Sequence, residues 1–122
     1  MPSILLVEDD DLNRDLIRRA LQGAGYEVRE ARNGREALRQ FELCPANLVI
    51  IDLFMPEMGG LETIWLLIHE FFDVTIIAMS EHRDELDFLA VARLFGARRT
   101  LRKPIRIDEL LRAVQEELQQ IT

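Results

Sequence analysis

Five short apolar runs alternate with five stretches of helical periodicity, and no other feature of this sequence limits its fold as strongly. The runs are SILLV (3–7), YEVREA (26–31), LVIID (48–52), VTIIAM (74–79) and RTLR (99–102). Those at 3–7, 48–52 and 74–79 are almost continuously apolar, as strands covered on both faces must be. YEVREA alternates instead, which suits a sheet edge. Between the runs, Leu16, Ile17, Ala20, Leu21 and Ala24 share one helical face that Gly25 ends. Asn33 with Glu36 has the spacing of a capping box, and Ala37, Leu38 and Phe41 face inward behind it. Leu61, Ile64 and Ile68 mark a third helix, with Trp65 and Leu67 beside the stripe. Phe88, Val91, Ala92 and Phe95 mark a fourth, ended by Gly96. Ile107, Leu110, Leu111, Val114 and Leu118 mark the last, where Asp108 and Glu109 suit the positive end of the helix dipole.

Strand–helix repetition implies right-handed crossovers between parallel strands. The expected fold is therefore α/β, a flavodoxin-like (βα)5 doubly wound five-stranded parallel sheet of strand order 2-1-3-4-5. Its 122 residues suffice for one domain with a proper core, expected over 1–122. The opening MPSILLVEDDD has no basic n-region or cleavage site, and no stretch is long enough to span a bilayer. No membrane partner is expected. The single cysteine, Cys44, permits no internal disulfide and suits a reducing cytoplasm, the expected location. A net charge of −7 argues against nucleic acid as a direct partner. The basic run Arg98, Arg99, Arg102, Lys103 and Arg106 reads as a solvated edge. Lys103 is the only lysine among 15 cationic residues.

In an open parallel sheet, ligands lie at the carboxyl ends of the strands, by the switch point between the first and third. Glu8-Asp9-Asp10-Asp11 follows the first run, Asp52 ends the third, Ser80 follows the fourth, and Lys103-Pro104 follows the fifth. Carboxylates gathered on one edge repel one another, and a divalent cation relieves that. Few hard oxygen ligands suit Mg²⁺ with retained waters. Asp10 and Asp11 also have the chemistry of a helix N-cap.

The segments LLVEDDDLNR, ARNGREAL, DLFMPEMGGLE, MSE and GARRTLRKP together resemble the receiver domain of two-component response regulators, over the whole chain. That resemblance implies a set of roles. Asp52 would accept a phosphoryl group from a sensor histidine kinase or histidine phosphotransfer protein. Asp9 would bind Mg²⁺ with Asp52 and the backbone carbonyl of Phe54, with Glu8 helping through water. Ser80 would bond a phosphoryl oxygen, Lys103 would pair with the phosphoryl group, and Lys103–Pro104 would be cis. The protein would be a phosphoacceptor switch rather than an enzyme, assisting its own phosphorylation and dephosphorylation. It would act on a downstream protein partner, as a monomer or weak dimer. No output domain is expected after Thr122, which suits either a stand-alone regulator or a receiver cut from a longer protein.

Several residues depart from the family pattern. Thr100 stands where an aromatic switch residue is common, and Glu81 where a small residue is usual. Phe54 is large for a place near the phosphoryl group, and Gly59 replaces Asp. Glu81 either covers the crevice or turns away to solvent or to Arg83. His82 lies close enough to influence the site, and His69 reads as helix surface. Trp65 fits either the core or a partner surface. Two rivals on related folds are disfavoured. A flavodoxin-like carrier needs a phosphate loop where EDDD stands. A haloacid-dehalogenase-like phosphohydrolase needs an Asp where Phe54 stands. A receiver that works unphosphorylated is the remaining alternative, with Glu81 and Thr100 as its support.

Overall fold

A computed structural model of the chain describes residues 1–55, 58–71, 73–81 and 87–120. The strands are β1 (Ser3–Val7), β2 (Glu27–Ala31), β3 (Leu48–Asp52), β4 (Ile76–Ser80) and β5 (Arg99–Arg102). The helices are α1 (Asp11–Gly23), α2 (Gly34–Leu43), α3 (Gly60–Glu70), α4 (Phe88–Phe95) and α5 (Ile107–Gln119). All strand pairs are parallel, in the order β2-β1-β3-β4-β5. The alternating strand is thus an edge and the continuous apolar runs lie inside, as their patterns require.

Side chains alternate across the sheet. Leu5, Val7, Val49, Ile51, Ile76 and Ala78 pack against α2, α3 and α4 through Phe41, Ile64, Leu67 and Ala92. Ile4, Leu6, Ile50, Ile77, Met79 and Leu101 face α1 and α5, meeting Ile17, Leu21, Leu110 and Val114. Asn33 caps α2 as its spacing predicts, accepting the Glu36 N–H at 2.8 Å.

The details differ from the expected boundaries in instructive ways. β2 begins at Glu27, because the Tyr26 N–H is taken by the Leu21 carbonyl at the end of α1 (3.2 Å). Gly25, at φ 97°, makes the left-handed turn there that a Cβ would disfavour. β4 begins two residues later than VTIIAM and ends one later, at Ser80, which pairs in register with Arg102. The inner face of α1 is also rotated from the apolar stripe. Its buried residues are Arg14, Ile17 and Leu21, and Leu16 is 54% exposed. In α4 the buried residues are Leu89 and Ala92, with Phe88, Val91 and Phe95 half-buried. Ile107 lies exposed at the start of α5.

One close approach fixes α3 against the end of β3. The Gly60 N–H donates to the Leu53 carbonyl at 3.0 Å. A Cβ on Gly60 would fall 2.4 Å from the Asp52 carbonyl oxygen and 2.5 Å from the Leu53 Cα. Both neighbours are backbone and cannot swing aside. Gly60→Ala is therefore expected to cost about 1–3 kcal/mol, the usual range for overpacking. Urea unfolding of the variant beside the wild type measures it.

Candidate functional site

The carboxyl edge of the sheet gathers one group from each of several strands. Glu8 follows β1 and is 0% exposed, an unusual place for a carboxylate. Its N–H donates to the Ala31 carbonyl at 3.1 Å, so the β1–β2 ladder extends one residue and draws the acid inward. Glu8 Oε1 accepts from Lys103 Nζ at 2.6 Å, and the same Nζ lies 3.3 Å from Asp52 Oδ2. Lys103 is delivered by β5, its N–H donating to the Ser80 carbonyl at 2.8 Å. Asp52 Oδ1 faces the Phe54 N–H at 3.4 Å. One ammonium thus bridges two buried carboxylates from different strands.

The electrostatics follow from that crowding. Burial pushes the Glu8 carboxyl above the ordinary carboxylate range; Lys103 pulls it back, and the Asp52 charge adds to the push. Asp9 is raised too, by desolvation first and then by Glu8. Burial works against the Lys103 ammonium, but its hydrogen bond to Glu8 and the charges of Asp52 and Glu8 outweigh that and raise it. The lysine is held as a cation.

Glu8, Asp9 and Asp52 each offer a carboxylate oxygen within 4.8 Å of the others. Hard anionic oxygens at this spacing fit Mg²⁺. Asp10 is committed elsewhere: it is the N-cap of α1, its Oδ2 accepting the Asn13 N–H at 3.1 Å.

The other expected residues fall at varied distances from this cluster. Ser80 is buried at the end of β4. Thr100 is half-buried on β5 opposite Ala78, on the face turned to α4 rather than α5. Glu81 is exposed and lines, with Asn13, Leu16, Lys103 and Pro104, a groove between α1 and the β5–α5 connection. His82 and Arg83 lie outside the described residues. The Lys103–Pro104 bond is cis. The Phe54 ring meets Phe88 edge to face, with centroids 5.1 Å apart. Trp65 is 47% exposed, so it belongs to the surface rather than the core. It stacks on His69 at 3.8 Å and meets Phe95 edge-on at 5.6 Å.

Sequence reasoning passed over Arg14. Its guanidinium is buried against the backbone of Glu8 and against Glu30 of β2. The signal was present, because Arg14, Ile17 and Leu21 follow helical spacing and a cation stands on the inward stripe.

A 2-1-3-4-5 parallel sheet with three carboxylates and a lysine at its carboxyl edge is the architecture of a receiver domain. Residues 4–115 match the family model of the response regulator receiver domain, and the chain belongs to that family. It is 34% identical over 119 residues to the response regulator MprA of Mycolicibacterium vanbaalenii, covering 98% of this chain and 51% of that protein. It is 31% identical over 118 residues to the polar-differentiation response regulator DivK of Brucella anthropi, covering 95% of each. The chain thus spans about half of one relative and nearly all of the other. Among solved structures it resembles a CheY-like receiver domain protein of Methanospirillum hungatei. That match has a TM-score of 0.92 and 27% identity, over 98% of this chain and 95% of that one. A response regulator of Chloroflexus aurantiacus gives a TM-score of 0.90 and 28% identity, over 96% and 97%. Among the described residues, no helix is long and apolar enough to cross a membrane.

Replacing Lys103 by Met would leave Glu8 and Asp52 buried and facing each other without their cation. Breaking a buried pair in this way costs about 3–5 kcal/mol. Urea denaturation should show that loss in Lys103→Met. The double variant Glu8→Gln, Lys103→Met should recover part of it, because one of the two unpaired charges and their mutual repulsion are then gone.

Proposed function

We propose that residues 1–122 form one receiver unit that accepts a phosphoryl group on Asp52 and thereby switches its binding to a downstream protein. The donor is the phosphohistidine of a sensor kinase or phosphotransfer protein. The observation that carries this reading is the Lys103 ammonium shared between Asp52 and Glu8, with Asp9 within reach. An Asp52 carboxylate oxygen attacks phosphorus, the donor's N–P bond breaks, and its electron pair returns to the imidazole. The product is an acyl phosphate on Asp52. Such a transfer needs placement and charge neutralisation more than covalent assistance.

Each residue's part follows from its position. Asp9, Asp52 and the Phe54 carbonyl would hold Mg²⁺, which supplies positive charge against the phosphoryl oxygens when bound. Glu8 suits an indirect contact: its Oε1 accepts from Lys103 and its Oε2 faces the Asp10 N–H at 3.4 Å. Lys103 needs only a rotation of its stem to pass from Asp52 to a phosphoryl oxygen. Ser80, on the adjacent strand, offers a hydroxyl to the same group. Thr100, on the α4 side of β5, offers no aromatic ring to transmit the change. The protein is thus a switch that assists its own phosphorylation and dephosphorylation, working in the cytoplasm as a monomer or weak dimer, without direct nucleic-acid or membrane contact.

Acetyl phosphate with Mg²⁺ should label the wild type, and mass spectrometry should place the label on Asp52. Asp52→Asn should abolish it, and chelation of Mg²⁺ should stop it in the wild type. Unchanged labelling of Asp52→Asn would reject the assignment and leave a receiver that works unphosphorylated.

Glu81 sets a second expectation. Its exposed carboxylate shares a groove with Lys103 at the approach to the site. A unit charge ~5–6 Å from an incoming anion is worth about 3 kcal/mol at a protein-surface dielectric. Salt and exposure reduce that greatly. Labelling by acetyl phosphate should therefore quicken by about two- to tenfold in Glu81→Gln, with the charge removed. It should quicken further in Glu81→Ala, with the bulk removed as well. Equal rates in all three would mean that the side chain turns away.

A further inference from the structure

We infer that Arg14 is a positioning residue for the acidic site: by holding the peptide between Glu8 and Asp9, it sets the affinity of the site for a divalent cation. This rests on the receiver reading above. Arg14 is 7% exposed, although a guanidinium is costly to bury. Its Nη1 donates to the Glu8 carbonyl at 2.9 Å, its Nε to Glu30 Oε2 at 2.8 Å, and its Nη2 to Asp11 Oδ1 at 2.5 Å. One planar fork therefore joins α1, β2 and the end of β1.

The Glu8 carbonyl is the contact that matters. It belongs to the same rigid peptide plane as the Asp9 nitrogen. The preceding peptide is fixed by the Glu8 N–H on the Ala31 carbonyl at 3.1 Å, and the Glu8 side chain by Lys103 at 2.6 Å. Arg14 closes the set, so the direction in which the chain leaves β1 toward Asp9 is determined. Without that hold, Asp9 has every electrostatic reason to move away from Glu8 and Asp52. Outer contacts that orient metal ligands typically govern affinity by 10–100-fold.

A purely structural tie between α1 and β2 is already duplicated. Arg18 Nε lies 3.2 Å from Glu30 Oε1, on the same carboxylate that Arg14 uses. The packing of α1 through Ile17 and Leu21 also remains when Arg14 is replaced. The bond to the Glu8 carbonyl comes from Arg14. A lysine there would keep a charge but could not serve three acceptors in one plane.

Calorimetric titration with MgCl2, with urea unfolding alongside, tests this on wild type, Arg14→Gln, Arg14→Lys, Asp9→Asn and Leu21→Ala. Both Arg14 variants should bind Mg²⁺ about tenfold more weakly. Leu21→Ala, which opens the core under the same helix, should lose stability and keep its affinity. Should Arg14→Gln fail to fold, Arg14→Lys carries the comparison. Affinities within twofold of wild type in the Arg14 variants would overturn the proposal. So would an equal loss in Leu21→Ala, since stability alone would then explain it. Wild type that binds and Asp9→Asn that does not keep the metal reading intact in either case. If wild type and Asp9→Asn both fail to bind, the metal reading falls and this proposal falls with it.

Discussion

The Lys103 ammonium between Glu8 and Asp52 is the interaction on which the rest of the site depends. Two carboxylates from neighbouring strands stand almost without solvent, and one cation serves both. Unshielded, a pair of like charges ~5 Å apart repels by about 3 kcal/mol at an effective dielectric of 20. That is a large share of the 5–15 kcal/mol that keeps a domain folded. The cost is met by topology. The order 2-1-3-4-5 places β1 beside β3, so Glu8 and Asp52 end adjacent strands. β5 lies beyond β4, so its lysine reaches past the end of β4 to meet Asp52 and Glu8. Among the described residues, no buried side-chain polar atom lacks a partner.

The two faces of the sheet place different demands on what stands above the edge. On one side, α3 is held close through Gly60, and Phe54, two residues after Asp52, meets Phe88 of α4 edge to face. On the other, α1 begins immediately after the acids, capped by Asp10, and presents Arg14 back to β1. Asp9 therefore sits between a strand end and a helix cap that are both fixed by hydrogen bonds. An acid so placed stays close to its neighbours, and desolvation and Glu8 together raise its carboxyl.

How much of this was legible in the sequence depended on whether one pattern meant one thing. The central strands were legible because a run such as LVIID has few alternatives to burial on both faces. The meeting of Glu8, Asp52 and Lys103 was legible through placement, since the order 2-1-3-4-5 brings the ends of the first, third and fifth strands to one edge. The facing of helices was harder. The apolar stripe of α1 includes Leu16, yet Leu16 is solvent-facing and Arg14 takes an inward place. Periodicity counts apolar residues and cannot see a cation whose partners arrive from β1 and β2. Trp65 was undecidable for a related reason: α3 is apolar on more than one side, and the contacts that seat it, His69 and Phe95, include one from another helix. The boundary of β4 slipped because Val74 and Thr75 have strand-like side chains, although the ladder to β5 begins only at Ile77.

The division of labour between the cations follows from the same physics. Fourteen of the 15 cationic residues are arginine, and the one lysine stands beside Asp52. Arginine suits Arg14, whose acceptors are a carbonyl and two carboxylates at fixed places: a rigid fork loses little freedom per bond formed. It suits Arg99 as well, which joins β5 to Glu116 and Glu117 of α5. At Asp52 the requirement differs. If the acceptor gains a phosphoryl group, the anionic oxygens move outward by more than a bond length, and the counter-charge must follow. A point charge on a four-carbon stem can do so while the strand beneath it stays still. A planar fork locked in two-point geometry cannot. Arg14 and Lys103 thus meet the same acid, Glu8, at different atoms: the rigid fork donates to its backbone carbonyl, and the ammonium on its longer stem to its side chain.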